Sequence, residues 1–195
     1  MSSEKSDTRS RILQSVLKLL EADQGKSVPM SDIAKTAGIS RQALYLHFAS
    51  RTKLLIAATR HLDEQKESDA RLAPSRQASS GKARLDAFIV AWGNYIPEIY
   101  PIAKALLAMA DDDKDAADAW RKRMQDMREG CEAAILALDS DGTLASGLKV
   151  QKATDMLWAL LSVRNWELYI FECGWSQKEY IAALRLMARR ILVKS

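Results

Sequence analysis

Apolar residues recur every three or four positions along most of this chain, the spacing of helices that bury one face. Ile12, Val16, Leu19 and Leu20 form a first stripe between Asp7, a predicted cap, and Gly25. Met30, Ile33, Ala34 and Ala37 form a short second one that Gly38 ends, and a third helix is predicted from Arg41 to Phe48. A fourth starts near Arg51 and runs to about Leu72 through Leu54, Leu55, Ala58 and Leu62. Residues 74–81, PSRQASSG, read as a loop. Beyond it a helix is predicted over 84–96, and Pro97 and Pro101 are expected to restart the chain into another over 102–110. A long stripe follows over 115–138, a break over 139–147, and two final helices over 149–173 and 177–193, parted by Gly174.

The stretch 30–53, MSDIAKTAGISRQALYLHFASRTK, compresses two short helices, a glycine-bearing turn and the start of a third helix, which is the plan of a helix-turn-helix. Ile39 buries the turn, and the Ser40 hydroxyl can cap the next helix by accepting from an N–H at Gln42 or Ala43. Leu44 and Phe48, four apart, pack inward. That leaves Arg41, Gln42, Tyr45, Leu46 and His47 outward, a set of side chains suited to DNA. Arg9 and Arg11, near the start of the first helix, are either phosphate contacts or solvated charges of an N-terminal arm.

These residues resemble the DNA-binding signature of TetR-type transcriptional regulators: Ile33-Ala34, Ala37-Gly38, Ser40, Leu44-Tyr45-Leu46-His47-Phe48, then Arg51 with Leu54-Leu55. The likeness covers about residues 10–60. It implies an all-α chain with an N-terminal three-helix DNA-binding domain over 1–50 and a C-terminal helical bundle for ligand sensing and dimerisation over 51–195, joined through a shared helix at about 51–72. It also implies a DNA-facing set of Ser40, Arg41, Gln42, Ala43, Tyr45, Leu46, His47, Arg51 and Lys53. Within that set Arg41 and Gln42 carry the donors for purine edges, while Tyr45, His47 and Arg51 suit phosphates. The chain departs from the family pattern in having Gln42-Ala43 where Gly-Thr is common, Arg51 for the usual Lys, and Pro29 where a Thr cap is frequent.

Composition sharpens this picture. With 48% hydrophobic and 28% charged residues, eight glycines and four prolines, the 195-residue chain is of ordinary globular type and favours helix over sheet. Residues 1–62 hold ten Lys or Arg against five Asp or Glu, and the remainder nineteen against twenty, so the net +4 is concentrated in the N-terminal third. Cys131 and Cys173 lie far apart, with no spacing for a zinc site or a disulfide framework. A polar N-terminus and the lack of any run of about 18 apolar residues argue against a leader or a membrane span, so the cytoplasm is the expected compartment. Asp111–Asp113 is read as a helix cap rather than a metal cluster, and DSDG at 139–142 as a turn.

The last two helices are apolar on more than one face, which either a second copy covering the outer side, the leading reading, or a central place for both in a monomeric bundle would explain. Leu161, Leu168, Ile181, Leu184 and Ala188 are the candidate interface residues of a homodimer that would set two recognition helices about one DNA turn apart, on a palindromic operator. All five tryptophans lie beyond residue 90. Trp92, Trp120, Met124, Met127 and Trp158 are the candidate lining of a pocket for a small-molecule effector. His47 and His61 are the only histidines, too few for a triad or a Glu-x-x-His metal bundle, so neither catalysis nor a cofactor is expected. A repressor released by a ligand is the leading reading. The alternative is a DNA-bound dimer that recruits a protein partner without any ligand.

Overall fold

The computed structural model describes residues 2–67 and 69–194, with side chains from Ser6 onward. The fold is all-helical, with the helix-turn-helix near its N-terminus. The α-helices in order are α1 (Ser2–Ala22), α2 (Met30–Thr36), α3 (Arg41–His47), α4 (Arg51–Gln65), α5 (Ala73–Arg76), α6 (Gly81–Leu107), α7 (Lys114–Ser140), α8 (Val150–Leu160), α9 (Val163–Glu167) and α10 (Gln177–Leu192). A 3-10 turn covers Ala70–Leu72 and a π-helical turn Leu168–Glu172. The chain forms two compact units, Met1–Glu67 with Ile99–Lys122, and Ser68–Glu98 with Arg123–Ser195.

In the first unit Ile12, Val16 and Leu20 of α1 meet a core completed by Ile33, Leu44, Leu54, Leu55 and Ala58, all essentially removed from water. These are the predicted stripes, turned inward as helical spacing requires. Two boundaries differ from expectation. Helix α1 runs through Asp7 instead of starting there, with Asp7 near Arg11 one turn on. Helix α4 stops at Gln65, not Leu72, where Glu67 adopts a left-handed φ of 47° that no helix continues through.

In the second unit α6 runs unbroken through Pro97, where the sequence predicts a restart. A proline lacks the N–H that would bond the carbonyl four residues back, here Gly93. That carbonyl instead accepts a hydrogen bond from Gln177 Nε2 of α10 at 2.6 Å, while Gln177 Oε1 accepts from Trp166 Nε1 at 2.8 Å. The orphaned acceptor is satisfied from outside, so the helix continues. Close packing at the same place explains the glycine, since a Cβ on Gly93 would lie 2.8 Å from Ile181 Cγ1.

The expected helix over 149–173 is broken after Leu160. Ser162 takes an extended backbone and caps α9, accepting from the Asn165 N–H at 3.2 Å. The carbonyls freed by the break find side chains: Leu161 O accepts from Trp92 Nε1 at 2.8 Å and Ala159 O from Asn165 Nδ2 at 2.7 Å. Part of the 74–81 loop is likewise helical, as α5, with Pro74 in the first turn where a missing N–H costs nothing. An ion-pair triad closes the unit, in which Asp86 of α6 accepts from Arg185 and Arg189 of α10.

Candidate DNA-reading site

The turn between α2 and α3 is built by backbone geometry. Gly38 sits at φ 69°, its N–H bonds Lys35 O, and the Ile39 N–H bonds Ala34 O at 3.0 Å, a Schellman closure of α2. Nothing lies within 4 Å of where a Cβ on Gly38 would stand, so conformation and not space selects glycine there. Ser40 then caps α3, its Oγ accepting from the Ala43 N–H at 3.0 Å, the bond its type and position predict.

Helix α3 is anchored from beneath by Leu44, fully buried, and by Phe48 just past its end. The Arg9 guanidinium of α1 lies 4.4 Å from the Phe48 ring centroid and braces that anchor. Outward stand Arg41 and Gln42, Tyr45 at 40% exposure and Leu46 at 83%, with Ala43 and His47 half-buried at the flank. Leu46 is the most open large apolar side chain described on the helix, which suits contact with a thymine methyl. Arg41 hovers 5.8 Å from the Tyr45 ring, an arrangement that presents the cation and the phenol together.

Helix α4 opens just after this. Ser50 caps it through the Lys53 N–H at 3.1 Å, and Lys53 itself is exposed. Arg51, expected as a phosphate anchor, also makes bonds within the protein. Its Nη1 donates to Val28 O at 2.6 Å and Ser27 Oγ at 3.1 Å, and burial lowers its affinity for its proton from the usual arginine range. Through Nη1 the guanidinium ties the segment before α2 to α4. Pro29, at the N-cap of α2, offers no side-chain bond, but its carbonyl accepts from Asp32 and Ile33.

A cavity of about 250 Å³ lies between α1 and the end of α2, lined by Arg11, Gln14, Ser15, Lys18, Thr36 and Ala37. Arg11 is a candidate phosphate contact by its place in the chain, but the groove itself has no signal in the sequence, because its walls come from two helices. Its two cations, Arg11 and Lys18, stand about two helical turns apart on α1 and face the end of α2.

The residues expected in a ligand pocket are placed less simply. Trp92, Met124, Met127 and Trp158 belong to the second unit and Trp120 to the first. Met127 is buried and the others half-buried. Of the expected interface residues, Leu161, Leu184 and Ala188 are fully buried within the protomer. Leu168 is exposed and Ile181 half-buried against Gly93. The open apolar side chains of this unit are instead Leu136, Met156, Leu168, Phe171, Leu186 and Ile191. Among the described residues no group of His, Cys, Asp or Glu is arranged to hold a metal ion, and no helix is long and apolar enough to cross a membrane.

A capped, outward-facing α3 on a three-helix support defines a helix-turn-helix DNA-binding domain. Residues 13–58 match the family described as bacterial regulatory proteins, tetR family, so this part of the chain carries the DNA-binding module of such transcriptional regulators. In sequence it is similar to the nucleoid occlusion factor SlmA of Marinobacter nauticus, 25% identical over 151 residues that cover 76% of this chain and 75% of the relative. A second SlmA, from a Marinomonas species, is 36% identical over 64 residues, about a third of each chain. In fold it is similar to a transcriptional regulator of Saccharomonospora viridis solved in complex with choline, at a TM-score of 0.83 with 17% identity, covering 97% of this chain and 100% of that one. A TetR transcriptional regulator of Chloroflexus aurantiacus superposes at 0.76 with 16% identity, covering 99% and 100%.

Proposed function

We propose that this protein is a repressor that binds a palindromic operator as a homodimer in the cytoplasm and is released by a small molecule bound in the C-terminal bundle. The observation that carries the DNA part is the outward set Arg41, Gln42, Tyr45 and Leu46, on a helix fixed at both ends by Ser40 and Phe48. Arg41 and Gln42, in the first turn, carry donors for guanine and adenine edges, while Tyr45, His47, Arg51 and Lys53 are the candidates for phosphates. The Arg11–Lys18 groove adds positive charge to the same unit.

The dimer reading rests on α10. Its buried side is Tyr180, Leu184, Ala188 and Leu192, and a second apolar stripe, Ala183, Leu186, Met187 and Ile191, runs down a different side with Leu186 half in water. Two copies joined over that stripe would bury it as a helix pair. Division into a reading domain over 1–50 and a sensing and dimerising domain over 51–195, sharing α4, is part of the same proposal. A small-molecule ligand is supported by the choline-bound neighbour, and aromatic Trp92 and Trp158 are candidates to face it. Tryptophan fluorescence titrated with a metabolite panel, in the presence of bound DNA, tests it: quenching that coincides with DNA release is expected.

A second reading has an observation of its own. The SlmA relatives are named as nucleoid occlusion factors, which favours a DNA-bound dimer that recruits a protein. Under that reading no metabolite releases the DNA, and a protein partner is retained by the DNA complex and not by the free chain.

A further inference from the structure

The first turn of α4 holds three separate things in consecutive residues. Ser50 caps the helix, Arg51 reaches back to Val28, and Thr52 donates its hydroxyl to Asp113 Oδ2. Thr52 is only 2% exposed, and a buried hydroxyl needs a partner. Asp113 lies in the turn between α6 and α7, and its other oxygen accepts from the Ala116 N–H at 3.1 Å, capping α7. The bonds from Thr52 and Ala116 hold this carboxyl below the usual aspartate range, so it is ionised when it makes them. One carboxylate therefore joins the first turns of α4 and α7, both in the first compact unit.

A second contact, independent of that one, makes the same connection. Gly25, in the loop between α1 and α2, has φ 78°, and a Cβ there would stand 2.6 Å from Pro101 O and 2.9 Å from Lys104 Cβ. The loop that leads into the helix-turn-helix thus lies directly on α6. Between α3 and α4 only Phe48, Ala49 and Ser50 intervene, so a displaced first turn of α4 displaces α3.

We propose that Asp113 and Thr52 are positioning residues for DNA reading, and that residues 99–122 are a working part of the reading head rather than of the sensing bundle alone. The contact fixes where α3 meets the groove and touches no base itself. This rests on the DNA-reading assignment above.

The test uses the full chain and the duplex it selects from a random pool, with an unselected random duplex beside it. Thr52→Val keeps the shape and removes the hydroxyl. Asp113→Ser keeps a cap for α7 but is too short to reach Thr52. Each should weaken binding to the selected duplex roughly three- to tenfold, the scale of one hydrogen bond, and leave the random duplex within about twofold. Thr52→Ser and Asp113→Asn, which retain a hydrogen bond, should restore binding, and the double variant Thr52→Val with Asp113→Ser should be no worse than either single one. If Thr52→Val binds the selected duplex like the unmodified chain, or loses affinity equally on both duplexes, the inference is wrong, whether or not Asp113→Ser folds. If the unmodified chain selects no duplex at all, the DNA-reading assignment has failed and this inference goes with it.

Discussion

Helices α3 and α10 begin alike and end in different trades. Both follow a serine cap, Ser40 accepting from Ala43 and Ser176 from Glu179, the latter with a reciprocal bond from the Ser176 N–H to the Glu179 carboxylate. Both bury one side, through Leu44 in the one and Tyr180, Leu184 and Ala188 in the other. The outward sides differ: Arg41, Gln42 and Tyr45 on α3, Ala183, Leu186 and Met187 on α10. Capping and the buried stripe specify that a helix forms. What the helix is for is written on the side that packing leaves free.

The largest effect expected from this contrast is on α10 itself. Leu184→Glu puts an unpaired charge into the protomer core at a cost of several kcal/mol, a large share of a stability of about 5–15 kcal/mol, so thermal melts should show an unfolded or barely folded chain. Leu186→Glu, two residues on and 53% exposed, should keep the helical spectrum and turn a dimer mass into a monomer mass by light scattering. A folded, dimeric Leu186→Glu protein would remove α10 from the interface.

Next come the two left-handed glycines of the first unit. Gly25→Ala meets both an unfavourable φ and the Pro101 carbonyl, and should cost about 3 kcal/mol. Gly38→Ala meets only the φ and should cost about 1–2 kcal/mol in the same denaturation experiment. Equal losses would show that the close approach at Pro101 relaxes freely.

On α3, Arg41→Ala and Gln42→Ala should each lower affinity for the cognate duplex by about 1–3 kcal/mol and relax preference at particular bases, with melting temperature unchanged. Ser40→Ala should destabilise by about 1 kcal/mol through loss of the cap.

The smallest effect is electrostatic and lies in the second unit. Burial pushes the Asp86 carboxyl up, but hydrogen bonds and charge from Arg189 and Arg185 outweigh it, so the group stays below the usual aspartate range. A depressed folded value contributes stability above the unfolded aspartate value of about 3.9 and loses it as pH falls through the folded one. The stability gap between the unmodified chain and Asp86→Asn should therefore be full at pH 7 and shrink below about pH 4, measured as melting temperature across a pH series.

The helix-turn-helix of the first unit is readable because its signals are local, although the start of α1 and the end of α4 differ from expectation. A cap at Ser40, a turn glycine at Gly38 and apolar spacing from Ile33 to Phe48 act over about four residues, and short-range physics decides them. The second unit is readable in class but not in boundary, because its boundaries are set by distant groups. Pro97 reads as a break until Gln177, far along the chain, takes the Gly93 carbonyl. The predicted helix over 149–173 reads as continuous until Trp92 takes the Leu161 carbonyl. Arg51 is the same lesson in the site. Its position matches a family cation, and only the structure shows its Nη1 bonded to the Val28 carbonyl. Leu184 and Leu186 are indistinguishable as apolar residues in the sequence, and the fold alone says which one faces water.

The most direct test of the reading site is to let the unmodified chain select duplexes from a random pool and to repeat the selection with the Arg41→Ala, Gln42→Ala double variant. The expected result is a two-fold-symmetric sequence with half-sites centred about 34–36 Å apart, enriched by the unmodified chain and blurred at defined bases by the variant. Enrichment of no sequence, or of one that the double variant reads just as sharply, would contradict DNA reading through α3.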